Sequence, residues 1–164
     1  MSSLSSTAPV VQVVPNDDEV LVVRNRNDHR FWIMDATDGK NFNVKYPKGL
    51  IRTGVSGCVS IGFYIEADGS TSKYRVLKSI IGDSSSGMLG KKNKQKVTSM
   101  FGNSAVKYLE AIRFSPGTEN PSRKRGFAQV QISFSTEAIP LRGNCDIPDL
   151  EVFLDIKIGQ LPVQ

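Results

Sequence analysis

The stretch GVSGCVSIGFYIEADGSTSKYRVLKSI, residues 54–80, constrains the fold more than any other part of the chain. Val59, Ile61, Phe63 and Ile65 are apolar at every second position, the spacing of a strand with one buried face. Ser60, Gly62 and Tyr64 fall on the opposite face. That mixed set predicts a sheet packed on one side and wet on the other. EADGST then interrupts the pattern, and Tyr74, Val76 and Ile80 resume it. Asp68-Gly69 offers the positive-φ turn residues that a tight hairpin needs.

Around this hairpin the other elements are weaker in pattern. Residues 19–24 and 30–35 are short, apolar and separated by turn-forming residues, so a first hairpin is expected there. Pro47 suits the first turn of a helix over residues 47–53, with Gly54 and Gly57 ending it. Residues 81–100 are rich in Ser, Gly and Lys and read as a long mobile loop. Phe101, Ala105, Leu109 and Ile112 form one apolar helix stripe, with Asn103 as candidate cap and Pro116-Gly117 closing the segment. Ala128, Val130, Ile132 and Phe134 return to period two, and Leu150, Val152, Leu154, Ile156 and Ile158 predict a final strand over 150–158.

Composition narrows the chemistry. The 164 residues suit one domain: a loose leader over 1–17, then a single unit over 18–160. The start lacks the basic and apolar regions of a signal peptide, and no apolar run approaches a membrane span. The formal charge of +5 permits an acidic partner without naming one. Gly90-Lys91 is followed by Lys92 where a phosphate loop needs a hydroxyl, and Gly82 to Gly87 is one residue too long for a nucleophile elbow. The one histidine, His29, sits in an expected turn beside Arg30, and the carboxylates form no paired constellation. No enzyme activity, cofactor or metal is expected. Lys91, Lys92, Lys94 and Lys96 form one basic cluster, and Arg123, Lys124 and Arg125 another. Neither contains the aromatic residues of a nucleic-acid platform, so solvated loop charge is the plainer reading and nucleic acid is the third-ranked partner class. Cys58 and Cys145 are either two reduced small hydrophobes or one disulfide in an oxidising compartment.

The order short helix, hairpin, helix, strand resembles the TonB C-terminal domain family over residues 45–135. Tyr46, Pro47, Gly57, Val59, Ile61, Phe63, Ile65, Asp68, Gly69, Val76, Leu77 and Ser79 fit its opening, and Arg113, Phe114 and Pro116 its helix-closing motif. Residues 127–134 take the place of its last strand. The sequence departs from the family at Lys45 and Ile112, in the long 81–100 loop, and in extra regions on both sides, and it shows no anchor or Pro-rich spacer. The resemblance implies an antiparallel sheet with two helices on one face, an α+β fold, here with extra N- and C-terminal strands.

By the same resemblance, the protein is a periplasmic interaction domain that couples inner-membrane energy to outer-membrane transporters, holding a receptor's TonB box by strand addition. The implied partner edge is Phe127, Ala128, Gln129, Val130, Gln131, Ile132, Ser133 and Phe134, with Lys45, Tyr46 and Pro47 nearby. The alternative is a soluble structural or adaptor subunit of a bacterial envelope or secretion assembly, with oligomers possible. A strand over 150–158 would occupy that edge, and a Cys58–Cys145 disulfide would pin the tail across the sheet.

Overall fold

The computed structural model describes residues 19–35, 44–82, 90–135 and 145–154. The expected leader and residues 155–158 lie outside them. The long hairpin forms as its alternation predicts: β3 (Gly57–Ile65) pairs antiparallel with β4 (Thr71–Ile81). Only Gly69 takes a positive φ at the turn, 86°, and a Cβ there would meet the Phe114 carbonyl oxygen at 2.1 Å. The turn is also tied to that region by a Phe114 N–H donated to the Gly69 carbonyl at 2.9 Å.

One expectation about the N-terminal segments is overturned, and with it the wholly antiparallel sheet. The predicted first hairpin does not form. β1 (Leu21–Val22) instead pairs parallel with β6 (Gly126–Phe134), and β2 (Trp32–Met34) pairs antiparallel with β5 (Phe114–Pro116). The turn between the arms is real, with Asp28 N–H donating to Asn25 O at 3.0 Å, but long-range partners draw the arms apart. Trp32 donates its indole N–H to Lys124 O at 2.9 Å. Gly126 leaves room for that ring: a Cβ would sit 2.5 Å from Trp32 Cδ1. The four-stranded sheet therefore runs β1-β6-β3-β4 and is mixed rather than wholly antiparallel.

The helices also depart from expectation. The first is a single 3-10 turn, Lys48–Leu50. The second, α1 (Lys91–Glu110), begins well inside the stretch read as loop, and Asn103 lies exposed within it rather than capping it. Lysine and glutamine are good helix formers, and Val97 extends the stripe of Phe101, Ala105 and Leu109 by one turn. The lysines that suggested a loop lie mostly on the exposed side. Leu50 and the α1 stripe share a cluster with Val59, Ile61, Phe63 and Ile65, so both helical segments cover one face.

The opposite face corrects two further readings. It is not wet: every residue of β3 is buried. Residues 145–154 cross it as a strap, joined to the sheet by a Cys58–Cys145 disulfide with Cα atoms 5.9 Å apart. Over its described part, residues 150–154, the predicted final strand is not a strand. Leu150–Phe153 form a turn of helix, α2, capped by the Asp149 side chain accepting from Val152 N–H at 3.1 Å. Leu150, Leu154 and Ile147 pack with Tyr64 and Phe127 in a second cluster. The described part of the tail thus covers a face of the sheet and does not add a strand to its edge.

Candidate functional site

β6 is longer than the strand beside it. β1 reaches only Gly126 and Phe127, with Leu21 N–H donating to Arg125 O and Val23 N–H to Phe127 O, both at 2.9 Å. Phe127 and the start of β6 are therefore covered, contrary to the expectation of an edge open from Phe127 onward. After Val23 the chain turns away toward β2. From Gln129 to the end of β6, no described strand pairs on that side.

Strand geometry decides which groups are offered there. The Arg125 and Phe127 carbonyls point outward to β1, so Gln129, Gln131 and Ser133 direct their N–H and C=O the same way. Ala128, Val130, Ile132 and Phe134 direct theirs to β3, in register with Phe63, Ile61, Val59 and Gly57. An extended chain laid along this flank can bond outward groups without disturbing the sheet.

Beside the flank lies a groove of about 990 Å³, lined by Ala128, Gln129, Val130 and Gln131, by Trp32 and Met34 of β2, and by Ile147 of the strap. Met34 is 43% exposed. Val130 packs at the margin of the α1-side core, whereas Gln129 bonds the strap through Nε2 to Ile147 O at 3.4 Å. The groove thus has an apolar side and an amide-bearing side. The Gln129 Oε1 atom is buried with no hydrogen-bond partner among the described residues. Such an atom costs free energy unless something satisfies it.

The turn carrying residues 24–30 forms the rim. Asp28 accepts from Arg30 Nε at 2.8 Å and from Arg24 N–H at 2.9 Å. The hydrogen-bonded Arg30 guanidinium, more than the opposing effect of burial, brings its carboxyl down to a pKa of about 2. His29 and Arg26 also line the groove. Among the described residues, no group of three or more His, Cys, Asp or Glu could hold a metal.

The other predicted contact residues stand elsewhere. Tyr46 donates to Val55 O at 2.6 Å and lies edge-on to Phe101, which stacks on Phe134 at 4.3 Å. It therefore belongs to the far end of β6. Burial pushes the Tyr46 hydroxyl pKa up. Pro47 leads into the 3-10 turn and Lys45 is exposed; neither lines the groove.

The basic clusters divide. Lys91, Lys92, Lys94 and Lys96 occupy the start of α1 and make no ion pair among the described residues. Arg123 donates to Ala67 O, Lys124 pairs with Glu19, and Arg125 makes a two-pronged pair with Glu66 while lying over the Tyr64 ring. Burial opposes the Glu66 charge, but the bonds from Arg125 and Ser72 outweigh it and hold the carboxyl below its usual range.

Sequence reasoning missed Trp32, Met34 and Ile147 as neighbours of the β6 flank. The only signal was the unusual size of Trp32 in a short strand, and nothing local tied it to Gly126. No helix of the described residues is long and apolar enough to cross a membrane. No family model and no curated protein matches the chain. A solved structure to which the chain is similar is the NMR structure of the Helicobacter pylori TonB C-terminal domain, residues 179–285. It is 21% identical, with 57% of this chain and 70% of that one covered and a TM-score of 0.38.

Proposed function

We infer that this chain is a TonB-like protein-interaction domain of the cell envelope, and that it captures an extended peptide of a partner by strand addition along residues 129–134. The observation that carries this reading is the flank of β6 beyond Phe127, which no described strand covers and which a groove adjoins. Unpaired N–H and C=O groups on a strand flank are satisfied by a peptide that continues the sheet. The partner strand places its apolar side chains toward Val130 and Met34 and its polar ones toward Gln129 and Gln131. Support for the periplasm comes from the disulfide, which persists in oxidising compartments. The family resemblance names the ligand class, a receptor's TonB box, and the role, coupling inner-membrane energy to outer-membrane transport.

The opposite flank of the sheet sharpens the choice. β4 exposes Lys73, Arg75 and Lys78, carries a positive φ of 53° at Lys73, and shifts register twice against β3. Charges and bulges are the usual guards of an edge that must not pair. Gln129, Gln131 and Ser133 provide no such guard.

The test is an amide-shift titration of the labelled protein with TonB-box peptides. Shifts are expected at Gln129, Gln131, Ser133 and the Trp32 indole. Gln131→Pro removes one outward N–H and leaves the β3 ladder its bonds, so it should abolish binding while the fold persists. Shifts elsewhere, or full binding by the proline variant, would refute strand addition at this flank. Binding to peptides of an envelope assembly but to no TonB box would favour the adaptor-subunit role.

A further inference from the structure

The strap supplies one wall of the groove, although it comes from residues far in sequence from the strand that supplies the floor. Near the groove three of its hydrogen bonds to the sheet and the 24–30 turn are long. Gln129 Nε2 reaches Ile147 O at 3.4 Å, Lys78 Nζ reaches Asp146 O at 3.5 Å, and Asn25 Nδ2 reaches Pro148 O at 3.4 Å. All three are long for hydrogen bonds. Arg24 and Arg30 pair with Asp149 and Glu151 at 3.4–3.8 Å on side chains 36–50% exposed, where ion pairs contribute little. The firmer attachments are Leu150 N–H to Arg24 O at 2.9 Å, the burial of Ile147, Leu150 and Leu154, the Ser60 hydroxyl on Cys145 O, and the disulfide.

We propose that the groove is complete only when Cys58 and Cys145 are joined, so that peptide capture by this chain is conditional on oxidation of that pair. The ligand in this statement rests on the strand-addition reading; the latching of the wall does not. Cys58 and Ser133 are directly opposite in the β3–β6 ladder, so the bond fastens Cys145 beside the end of β6. Breaking it is a two-electron exchange. A thiolate of a dithiol reductant attacks one sulfur, its second thiol resolves the mixed disulfide, and two cysteine thiols and an oxidised reductant remain.

Both cysteines are fully buried, so that attack requires the strap to lift first. The condition is therefore set where the chain folds and oxidises, not by rapid exchange in the folded protein. With the bond absent, the Cys145 end keeps only the Ser60 contact, the long hydrogen bonds and the burial of Ile147, and on this proposal these do not hold Ile147 against Gln129. β3, β4, β6 and α1 keep their own ladders and core.

The experiment compares the oxidised protein, the protein reduced with dithiothreitol, and the Cys58→Ala/Cys145→Ala double variant. Amide exchange and affinity for a synthetic TonB-box peptide are measured on all three. Exchange at Ile147, Leu150 and Val152 is expected to rise with β3 and α1 unchanged, and affinity to fall about tenfold or more. Equal affinity with the strap still protected overturns the proposal. Loss of protection throughout β3 also overturns it, because the bond would then hold the whole fold rather than one wall. If the oxidised protein binds no peptide, the strand-addition reading fails instead. The exchange data then decide the latch alone: a released strap supports it and a protected one overturns it.

Discussion

On one face of the sheet, α1 lays Val97, Phe101, Ala105 and Leu109 against four alternating residues of β3, and its 20 residues hold their own hydrogen-bonded register. On the other face, residues 145–154 carry only one turn of helix and bury a smaller cluster around Tyr64 and Phe127. The first cover is held by a large buried area, the second by a smaller one together with a covalent bond and a few hydrogen bonds. A short segment with three buried apolar side chains cannot offset the entropy of ordering it as a long amphipathic helix can. The difference teaches where the molecule can change. The α1 face is the foundation on which β6 is placed, and the strap is the part that shapes the groove beside it.

The contrast can be broken most directly at Phe101, which is fully buried and stacked on Phe134. Phe101→Ala should lower the unfolding free energy by about 3–5 kcal/mol in a urea titration. A loss below about 1 kcal/mol would mean that α1 is not the principal cover. Leu150→Ala, on the strap face, should cost about 2–3 kcal/mol, with exchange rising mainly over residues 147–154. A loss as large and as general as that of Phe101→Ala would erase the distinction between the faces.

Acid provides a gentler probe of the strap side. Folding lowers the Asp28 pKa from its ordinary 3.8 to about 2, so the fold favours the ionised carboxylate. Its contribution is present above about pH 4 and is lost as pH falls through about 2, roughly 2 kcal/mol that solvent screening around the partly exposed Arg30 reduces to about 1–2. Asp28→Asn should flatten that part of the stability-versus-pH curve; an unchanged curve would remove Asp28 as its source. The smallest expected effect is at the α2 cap, where Asp149→Ala should cost about 1 kcal/mol, seen as faster exchange of the Val152 amide. No change in that amide would show that the strap holds α2 without its cap.

The period-two pattern in β3, β4 and β6 and the stripe at Phe101, Ala105 and Leu109 were legible, because each is a local repeat matched to one geometry. The lysine-rich start of α1 was not, since its helicity depends on Val97 reaching the core. The tail misled for a related reason. Leu150, Val152 and Leu154 alternate, yet Val152 is 50% exposed while Leu150 and Leu154 are buried at helical spacing. Apolar residues four apart fit either geometry, and the Asp149 cap tips the choice. Of the partner site, the strand itself was legible. Its covered start at Phe127 and its walls at Trp32 and Ile147 were not.

By itself the sequence determined which segments bury one side and which residues can turn: the alternating strands, Gly69 at φ 86°, and the apolar helix stripe. Those are short-range properties, set by backbone sterics and side-chain period. Only the tertiary structure decided that β1 stops at Val22, that β2 leaves for β5, and that a strap joined at Cys58 closes the second face. These outcomes depend on which distant groups bond or pack together: the Trp32 indole on Lys124, the strap on Tyr64 and Phe127. Local periodicity carries no information about such partners, and they are what leaves one flank of β6 with no described strand beside it.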